Sequence, residues 1–230
     1  MEPYNNPSPF SLFINNNKID RVDCIDYLGI KIDDKLTWKQ HIKHIEGKLS
    51  SACGAIYRLR KSVNLQCLRT FYFAHAYSYL QYSILAWFNT EKRNLVRLNS
   101  LHGKLIRLMT LHGPLKDFFF SANEMSKNIE ILKIPDIYKL ELGKFMHRAQ
   151  SGNLPPNFEN YFTRIENMHN YSLRSIKKNT FYSKSVTIAK YKSWLTNAGV
   201  DLWKTISSEL KDLPLKPFAR KYKQQILNDY

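Results

Sequence analysis

The sequence predicts a mainly α-helical protein with a small N-terminal β-hairpin, a three-helix bundle, and a second helical module that includes a short β segment. Apolar residues recur at steps of three and four over long stretches after Trp38, while the residues before it alternate as strands do. Hydrophobic residues make up 43% and aromatic residues 13% of 230, enough for a folded core. The expected divisions are 1–36 for the hairpin, 37–116 for the bundle and 117–230 for the second module.

The first predicted elements are two strands, at 10–14 and 18–32. The asparagine run 15–17 joins them, because asparagine tolerates the positive φ that a tight turn requires. Together they form the expected hairpin.

The first helix is predicted to begin at Trp38. Thr37, with Gln40 three residues later, forms a capping-box sequence. The helix should run for about six turns, because its apolar positions keep helical spacing: Trp38, Ile42, Ile45, Leu49, Ala52, Ile56 and Leu59.

A second helix is predicted at roughly 65–88, capped by Asn64. From Thr70 to Asn89 it has no Lys, Arg, Asp or Glu, so its length would allow a membrane span. His75, Gln81, two serines and four tyrosines favour the alternative, the central helix of a soluble bundle. No membrane partner is therefore expected.

A third helix is predicted from about 91 to 111, ending before Gly113-Pro114. At about 100° per residue, four cations and no acid fall within an arc of roughly 80° on one face. These are Arg93, Arg97, Lys104 and Arg107. The opposite face carries Leu95, Leu98, Leu101, Leu105, Ile106 and Met109. A one-sided cationic stripe is typical of a helix that lies along a polyanion.

The net charge of +16 is unevenly distributed along the chain. Residues 1–36 carry −2, residues 37–116 carry +11 with only two acids, residues 117–159 carry −1, and residues 160–230 carry +8. Such basic blocks attract nucleic acid without reading its sequence, since they release condensed counterions. The alternative is a surface whose charge only keeps the protein soluble.

Three widely spaced cysteines, Cys24, Cys53 and Cys67, predict neither a disulfide framework nor a zinc site. They are expected to be buried thiols in a reducing compartment. The N-terminal residues lack the pattern of a secretory signal, so an intracellular location, nucleus or cytoplasm, is expected.

The pair Asp33-Asp34 raises the question of a polymerase metal site, in which carboxylates from adjacent strands hold two metal ions. Here the pair ends a strand and is followed at once by a helix start, where acids favour turns. The upstream acids, Asp20, Asp23 and Asp26, lie on a hairpin too short to be a palm. The sequence therefore predicts a structural role for the pair.

Two weaker patterns remain. His41 and His44 could share a helix face and a metal, but no acid or cysteine partner is evident, so a packed or solvent-facing pair is favoured. Aromatic residues among the lysines of 160–230 suit either base stacking or a core, and both interpretations stay open. They are Tyr161, Tyr171, Tyr182, Tyr191, Trp194, Trp203 and Tyr222, around a β segment near 180–192 and a helix near 215–228.

Several short motifs keep one order along nearly the whole chain. They are Tyr27-Leu28-Gly29-Ile30, Leu36-Thr37-Trp38, His41-Ile42, Ile56–Arg60, Tyr79–Tyr82, Ile84–Trp87, Leu101-His102, Leu105–Leu108, Ile131–Leu140, Tyr171–Arg174, Leu202–Ile206 and Phe218 with Tyr222. In order and spacing the chain resembles the palm end, thumb and tail of reverse transcriptases of non-LTR retrotransposons, the Jockey-like group. It departs from that pattern at His102, where the family often has Gln, and at Tyr171–Arg174, where the family has Tyr-Asn/Thr-Thr-Arg.

The resemblance implies a thumb-like bundle at 37–116 and a primer-grip-like hairpin turn at Leu28 and Gly29. It also implies that the chain holds no catalytic palm aspartates and no metal site, so Mg²⁺ would matter only if a complete palm were supplied. The implied function is that of a C-terminal fragment of an RNA-directed DNA polymerase, inactive on its own, that holds RNA or an RNA–DNA duplex. The expected phosphate contacts are Lys39, Lys43, Arg93, Arg97, Lys104 and Arg107.

Other possibilities stay open. The chain could be a host-adopted basic module that binds an acidic protein, or a residual enzyme that uses Asp33 and Asp34. A separate palm fragment is a further expected partner of a thumb-like chain.

Overall fold

The computed structural model describes residues 11–110, 121–164, 181–182 and 194–230. The fold is mainly α, with two small antiparallel hairpins before the helices. The predicted fold class is confirmed. The expected helix end at Gly113-Pro114, the 116/117 division and most of the β segment near 180–192 lie outside the described residues.

The first hairpin pairs β1 (Leu12–Ile14) with β2 (Asn17–Ile19). Asn15 and Asn16 form its turn with φ of 47° and 63°, so the prediction of a turn in the asparagine run is confirmed. Both strands are exposed along their whole length.

A second hairpin replaces the single strand predicted at 18–32. It pairs β3 (Cys24–Tyr27) with β4 (Ile30–Asp33). Leu28 and Gly29 reverse the chain with φ of 50° and 79°, and positive φ at both positions matches the twist of a two-residue hairpin. The single-strand prediction is wrong because this turn interrupts it.

The first long helix, α1, spans Lys39–Leu59 and buries the predicted apolar positions Ile42, Ile45, Leu49, Ala52 and Ile56. The predicted capping box at Thr37 and Gln40 is wrong. Trp38 occupies the cap position with φ of 62°, and its side chain makes no capping hydrogen bond. The Asp33 carboxylate takes over part of this role by accepting the backbone N–H groups of Thr37 and Trp38.

The side chain of Asn64 caps the second helix as predicted, accepting the N–H of Cys67 at 2.9 Å. The helix does not continue to residue 88. It consists of α2 (Leu65–Tyr72), a π-helical turn (Phe73–Tyr77), α3 (Ser78–Gln81) and, after a bend, α4 (Ile84–Trp87).

The bend lies at Tyr82 and Ser83, where Ser83 has φ of 52°. The Trp87 indole N–H donates to the Tyr82 carbonyl at 3.0 Å and so replaces a bond that a continuous helix would have made. Across the described ranges, no helix is long and apolar enough to cross a membrane.

The third long helix, α5, spans Lys92–Thr110 and runs in the same direction as α1. Contacts between the two advance together along both helices. The Thr90 hydroxyl donates to the Thr37 carbonyl at 2.8 Å, the Arg97 guanidinium lies 3.6 Å from Glu46, and the Cys53 thiol donates to the Leu101 carbonyl at 3.7 Å.

The C-terminal helices are α6 (Ala122–Asn128), α7 (Ile134–Gln150), α8 (Leu195–Thr205), α9 (Ser208–Lys211) and α10 (Leu215–Asn228). The predicted helix near 215–228 is confirmed. The central α7 contacts α3 and α4 on one side and α8 and α10 on the other, so one buried apolar cluster continues from α1 to α10.

Candidate nucleic-acid interface

The cationic stripe predicted on the third helix lies on the exposed face of α5. Arg93 and Arg97 expose 71% and 76% of their side chains, and Lys104 and Arg107 are also exposed. The opposite face lies in the core, with Leu95, Leu98, Leu105, Ile106 and Met109 buried. The predicted separation of charge and core on this helix is confirmed.

Two acids lie beside the stripe and reduce its charge. Glu91 forms an ion pair with Arg93, and Glu46 of α1 pairs with Arg97 at 3.6 Å. The Glu46 side chain is only 13% exposed, so this pair also joins α1 to α5. These are the only two acids of residues 37–116.

Lys39 and Lys43 extend the surface onto α1. Both are exposed, and with Glu46 they follow the spacing of four and then three residues that places side chains on one helix face. Since Glu46 contacts Arg97, this face of α1 borders the stripe of α5. We call the combined surface the α1–α5 face; it consists of Lys39, Lys43, Arg93, Arg97, Lys104 and Arg107 with the two acids.

Lys104 and Arg107 lie near the C-terminal end of α5. Burial raises the pKa of the Cys53 thiol of α1, and the positive charge of Lys104 opposes that rise. Arg107 instead lines a cavity of about 310 Å³ between α5 and α6. Within the described part of the chain, Lys39, Lys43, Lys104 and Arg107 make no ion pair.

The hairpin turn at Leu28 and Gly29 is fixed against the helical bundle. The Tyr82 hydroxyl donates to the Leu28 carbonyl at 2.7 Å, so the turn rests on the bend between α3 and α4. The Leu28 side chain is 72% exposed. Its primer-grip role stays a prediction.

The Asp33-Asp34 pair is engaged in the junction between β4 and α1. The Asp33 carboxylate accepts the N–H of Thr37 at 2.8 Å and of Trp38 at 2.7 Å, and Asp34 pairs with Arg21 at 3.2 Å. Burial acts to raise the pKa of Asp33, but the hydrogen bonds from Thr37 and Trp38 outweigh it and leave the pKa below its usual value. These contacts are those expected of a turn that begins a helix.

Asp33→Ala is expected to lower the free energy of unfolding by about 1–3 kcal/mol, because two part-buried N–H groups lose their acceptor. Urea denaturation followed by circular dichroism measures the change. Asp34→Ala is the matched control and should cost under about 1 kcal/mol, as is usual for an exposed ion pair. Equal costs for the two variants would contradict the capping role of Asp33.

His41 and His44 lie close in sequence on α1 but differ in burial, and His41 is enclosed by the core. His41 is buried, and its Nδ1 accepts the N–H of Lys31 at 3.4 Å, while its Nε2 lies without a hydrogen-bond partner beside the rings of Trp38 and Trp87. Burial lowers the pKa of His41, with further lowering by the charges of His44 and Lys31. Among the described residues, no three His, Cys, Asp or Glu side chains come together as metal ligands.

A buried polar pair under α5 was not predicted. The Tyr72 hydroxyl lies 2.7 Å from Nε2 of His102, and both side chains are buried. Burial lowers the pKa of His102 to about 4. The signal was present in the sequence, since His102 falls on the leucine face of the third helix.

The predictions for the aromatic residues of 160–230 and for the three cysteines have mixed outcomes. Trp203 and Tyr222 are buried in the core, whereas Tyr161, Tyr182 and Trp194 are exposed. Tyr171 and Tyr191 lie outside the described residues. Of the three cysteines only Cys53 is buried, so the prediction of buried thiols is wrong for Cys67, which is exposed, and for Cys24, which is half-buried.

The α1–α5 face is thus a solvent-exposed, cation-rich surface on two parallel helices that a buried core holds in place. Its side chains can donate hydrogen bonds and contribute positive charge to an anion that lies along the helices. Comparisons with protein-family models, with curated proteins and with solved structures find no match to this chain.

Proposed function

We propose that this chain holds RNA or an RNA–DNA duplex on its α1–α5 face, as the thumb and tail portion of an RNA-directed DNA polymerase of the Jockey-like non-LTR retrotransposon type. The observation that carries the proposal is the exposed cationic surface on two parallel helices. The order of the family-like motifs along the chain supports the assignment to this class of polymerase.

The chemistry of this surface fits the phosphate backbone rather than the bases. Lysine and arginine side chains that contact phosphates release condensed counterions, and that gain does not depend on sequence. The six cations and two acids leave a net charge of +4 on the face. Binding should therefore tolerate any sequence and weaken steeply with salt.

The proposed role is to grip the nucleic acid and not to react with it. The carboxylate of Asp33 is already bound by two backbone N–H groups, and Asp34 is paired with Arg21. Chemistry on the held strand would come from a palm supplied separately, with its own Mg²⁺. Primer extension with Mg²⁺ tests the rival in which Asp33 acts, because that activity would have to disappear in Asp33→Asn.

A fluorescence-anisotropy titration of a labelled RNA–DNA duplex across salt concentrations tests the proposal. The slope of log K against log salt should be about −3 to −4 for four net phosphate contacts. The variant K39Q/K43Q/K104Q/R107Q removes the four cations that lack an ion pair and leaves both acids paired. It should reduce the affinity for duplex roughly 10- to 100-fold near 0.1 M salt. For binding at the α1–α5 face, the slope of log K against log salt should be close to zero.

Two matched variants sharpen the result. K18Q/K127Q/R148Q removes three exposed cations elsewhere that form no ion pair within the described residues, and it should have a much smaller effect per charge. Glu91→Gln releases Arg93 and should strengthen binding by a few-fold. Weak, salt-independent binding to duplex would overturn the proposal, and tight capture of an acidic protein that survives nuclease would favour the host-adopted module.

A further inference from the structure

The last helix, α10, carries a second acid-free set of cations. Between Leu215 and Asn228 the sequence contains three lysines, one arginine and neither aspartate nor glutamate. Asp212 and Asp229 lie just beyond its two ends. A surface helix usually mixes both signs of charge, so this composition needs an explanation beyond solubility.

The packing of α10 fixes which of its side chains face outward. Phe218, Tyr222 and Ile226 recur every four residues and are buried. Gly143 of α7 makes the close contact possible, because a Cβ at that position would lie 2.8 Å from the Tyr222 ring. This close packing fixes the orientation of α10 and leaves the face opposite Phe218 and Tyr222 toward solvent.

The outward face carries three exposed cations, Lys216, Arg220 and Lys221. Lys216 and Arg220 are four residues apart, a spacing at which like charges repel and destabilise a helix. Across the described ranges none of the three makes an ion pair, in contrast to Arg93 and Arg97 on α5.

The fourth cation of α10, Lys223, differs from the other three because its side chain packs against the protein. Its ammonium lies 5.5 Å from the centre of the Phe73 ring. Burial lowers the pKa of Lys223, which the charge of Glu130 opposes. No comparable contact engages the other three cations among the described residues.

We propose that the exposed face of α10 is a second surface for the phosphate backbone of nucleic acid, so that one chain engages two separate segments. Charge complementarity selects this occupant, because three unpaired cations and no acid match a continuous polyanion. The surface is distinct from the α1–α5 face, since α10 packs on α6, α7 and α9. The two-segment arrangement rests on the proposed function, whereas phosphate binding by α10 does not.

The test uses the full chain and the variant K216Q/R220Q/K221Q, with K18Q/K35Q/R148Q as a control of equal charge at exposed positions that form no ion pair within the described ranges. Glutamine retains good helix propensity, and circular dichroism checks that the fold is kept. The protein is loaded on an immobilised RNA–DNA duplex, and capture of a second, labelled duplex is measured. The wild type and control should capture it, and the α10 variant should lose roughly tenfold of that capture, with the salt slope of this second capture reduced by about 2–3.

The outcomes separate the two proposals. Capture by the α10 variant equal to that of wild type, or an equal loss in the control, would overturn the α10 surface while the α1–α5 proposal stands. If α10 substitution abolishes duplex binding but the α1–α5 substitutions do not alter it, the α1–α5 proposal fails and the α10 surface stands. Binding of polyglutamate by α10 as tight as that of duplex would overturn the assignment to nucleic acid.

Discussion

Trp203→Ala is expected to lower the free energy of unfolding by about 3–5 kcal/mol, because a large side chain leaves a cavity in a packed core. Trp203 is 1% exposed, and its indole N–H donates to Oε1 of Gln150 at 3.1 Å. Its ring lies against Phe218 of α10 and His147 of α7, with centroid distances of 5.8 and 6.3 Å. The substitution thus removes apolar contact from three helices and leaves the half-buried Gln150 acceptor without its donor.

Urea denaturation followed by circular dichroism measures this loss. Trp203→Phe is the matched control: it keeps an aromatic ring in the site and should cost less than the alanine variant. A loss of under about 1 kcal/mol for Trp203→Ala would contradict the central position given to this side chain. Because Phe218 orients α10, the alanine variant should also weaken duplex capture by the α10 surface.

Acidification from pH 7 to pH 4 is expected to cost about 3 kcal/mol of stability through His102 alone. Burial lowers the pKa of His102 to about 4 in the folded chain, whereas an unfolded histidine has its usual pKa of about 6.5. A group with a lowered folded pKa contributes its full stabilisation above the unfolded pKa. That stabilisation is lost as the pH falls from about 6.5 toward 4.

Urea denaturation at pH 7, 5.5 and 4 tests this prediction in the wild type and in His102→Gln. The variant should show a pH dependence that is flatter by about 3 kcal/mol over this window. Tyr72→Phe is the control, since it keeps His102 buried and removes only its hydroxyl partner. It should lower stability by about 1–3 kcal/mol with the slope retained, and a slope unchanged in His102→Gln would contradict the assignment. His41, whose pKa is also lowered, accounts for part of the remaining slope.

The helices α1 and α5 could be predicted because each has a clear local periodicity of apolar residues. The apolar positions of α1 and α5 lie on the buried side, and the predicted cap Asn64 is in place. The position of the cations of α5 on the face opposite its leucines was predicted from the same helical spacing. A strong periodic pattern predicts a helix well because the burial of its apolar face and its local helix propensity favour the same structure.

The features that could not be predicted depend on specific contacts that a periodic pattern does not encode, between partners that are near or far apart in sequence. Ser83 has a positive φ without any local glycine signal, and the bend there is stabilised by the indole of Trp87. Asp33, at the end of β4, holds the residues that lead into α1 by accepting the N–H groups of Thr37 and Trp38. The ion pair between Glu46 and Arg97 forms because α1 and α5 lie side by side. The local sequence of either helix does not predict that arrangement.

The parallel arrangement of α1 and α5 has an electrostatic consequence. Each helix carries a macrodipole equivalent to about half a positive charge at its N-terminus. Both N-termini lie at the same end of the α1–α5 face, because the Thr37 carbonyl before α1 accepts a hydrogen bond from Thr90 before α5. The two dipoles therefore add where Lys39 and Arg93 already stand. A polyanion on this surface therefore gains additional attraction at the end where both helices begin, within the first turn of each helix.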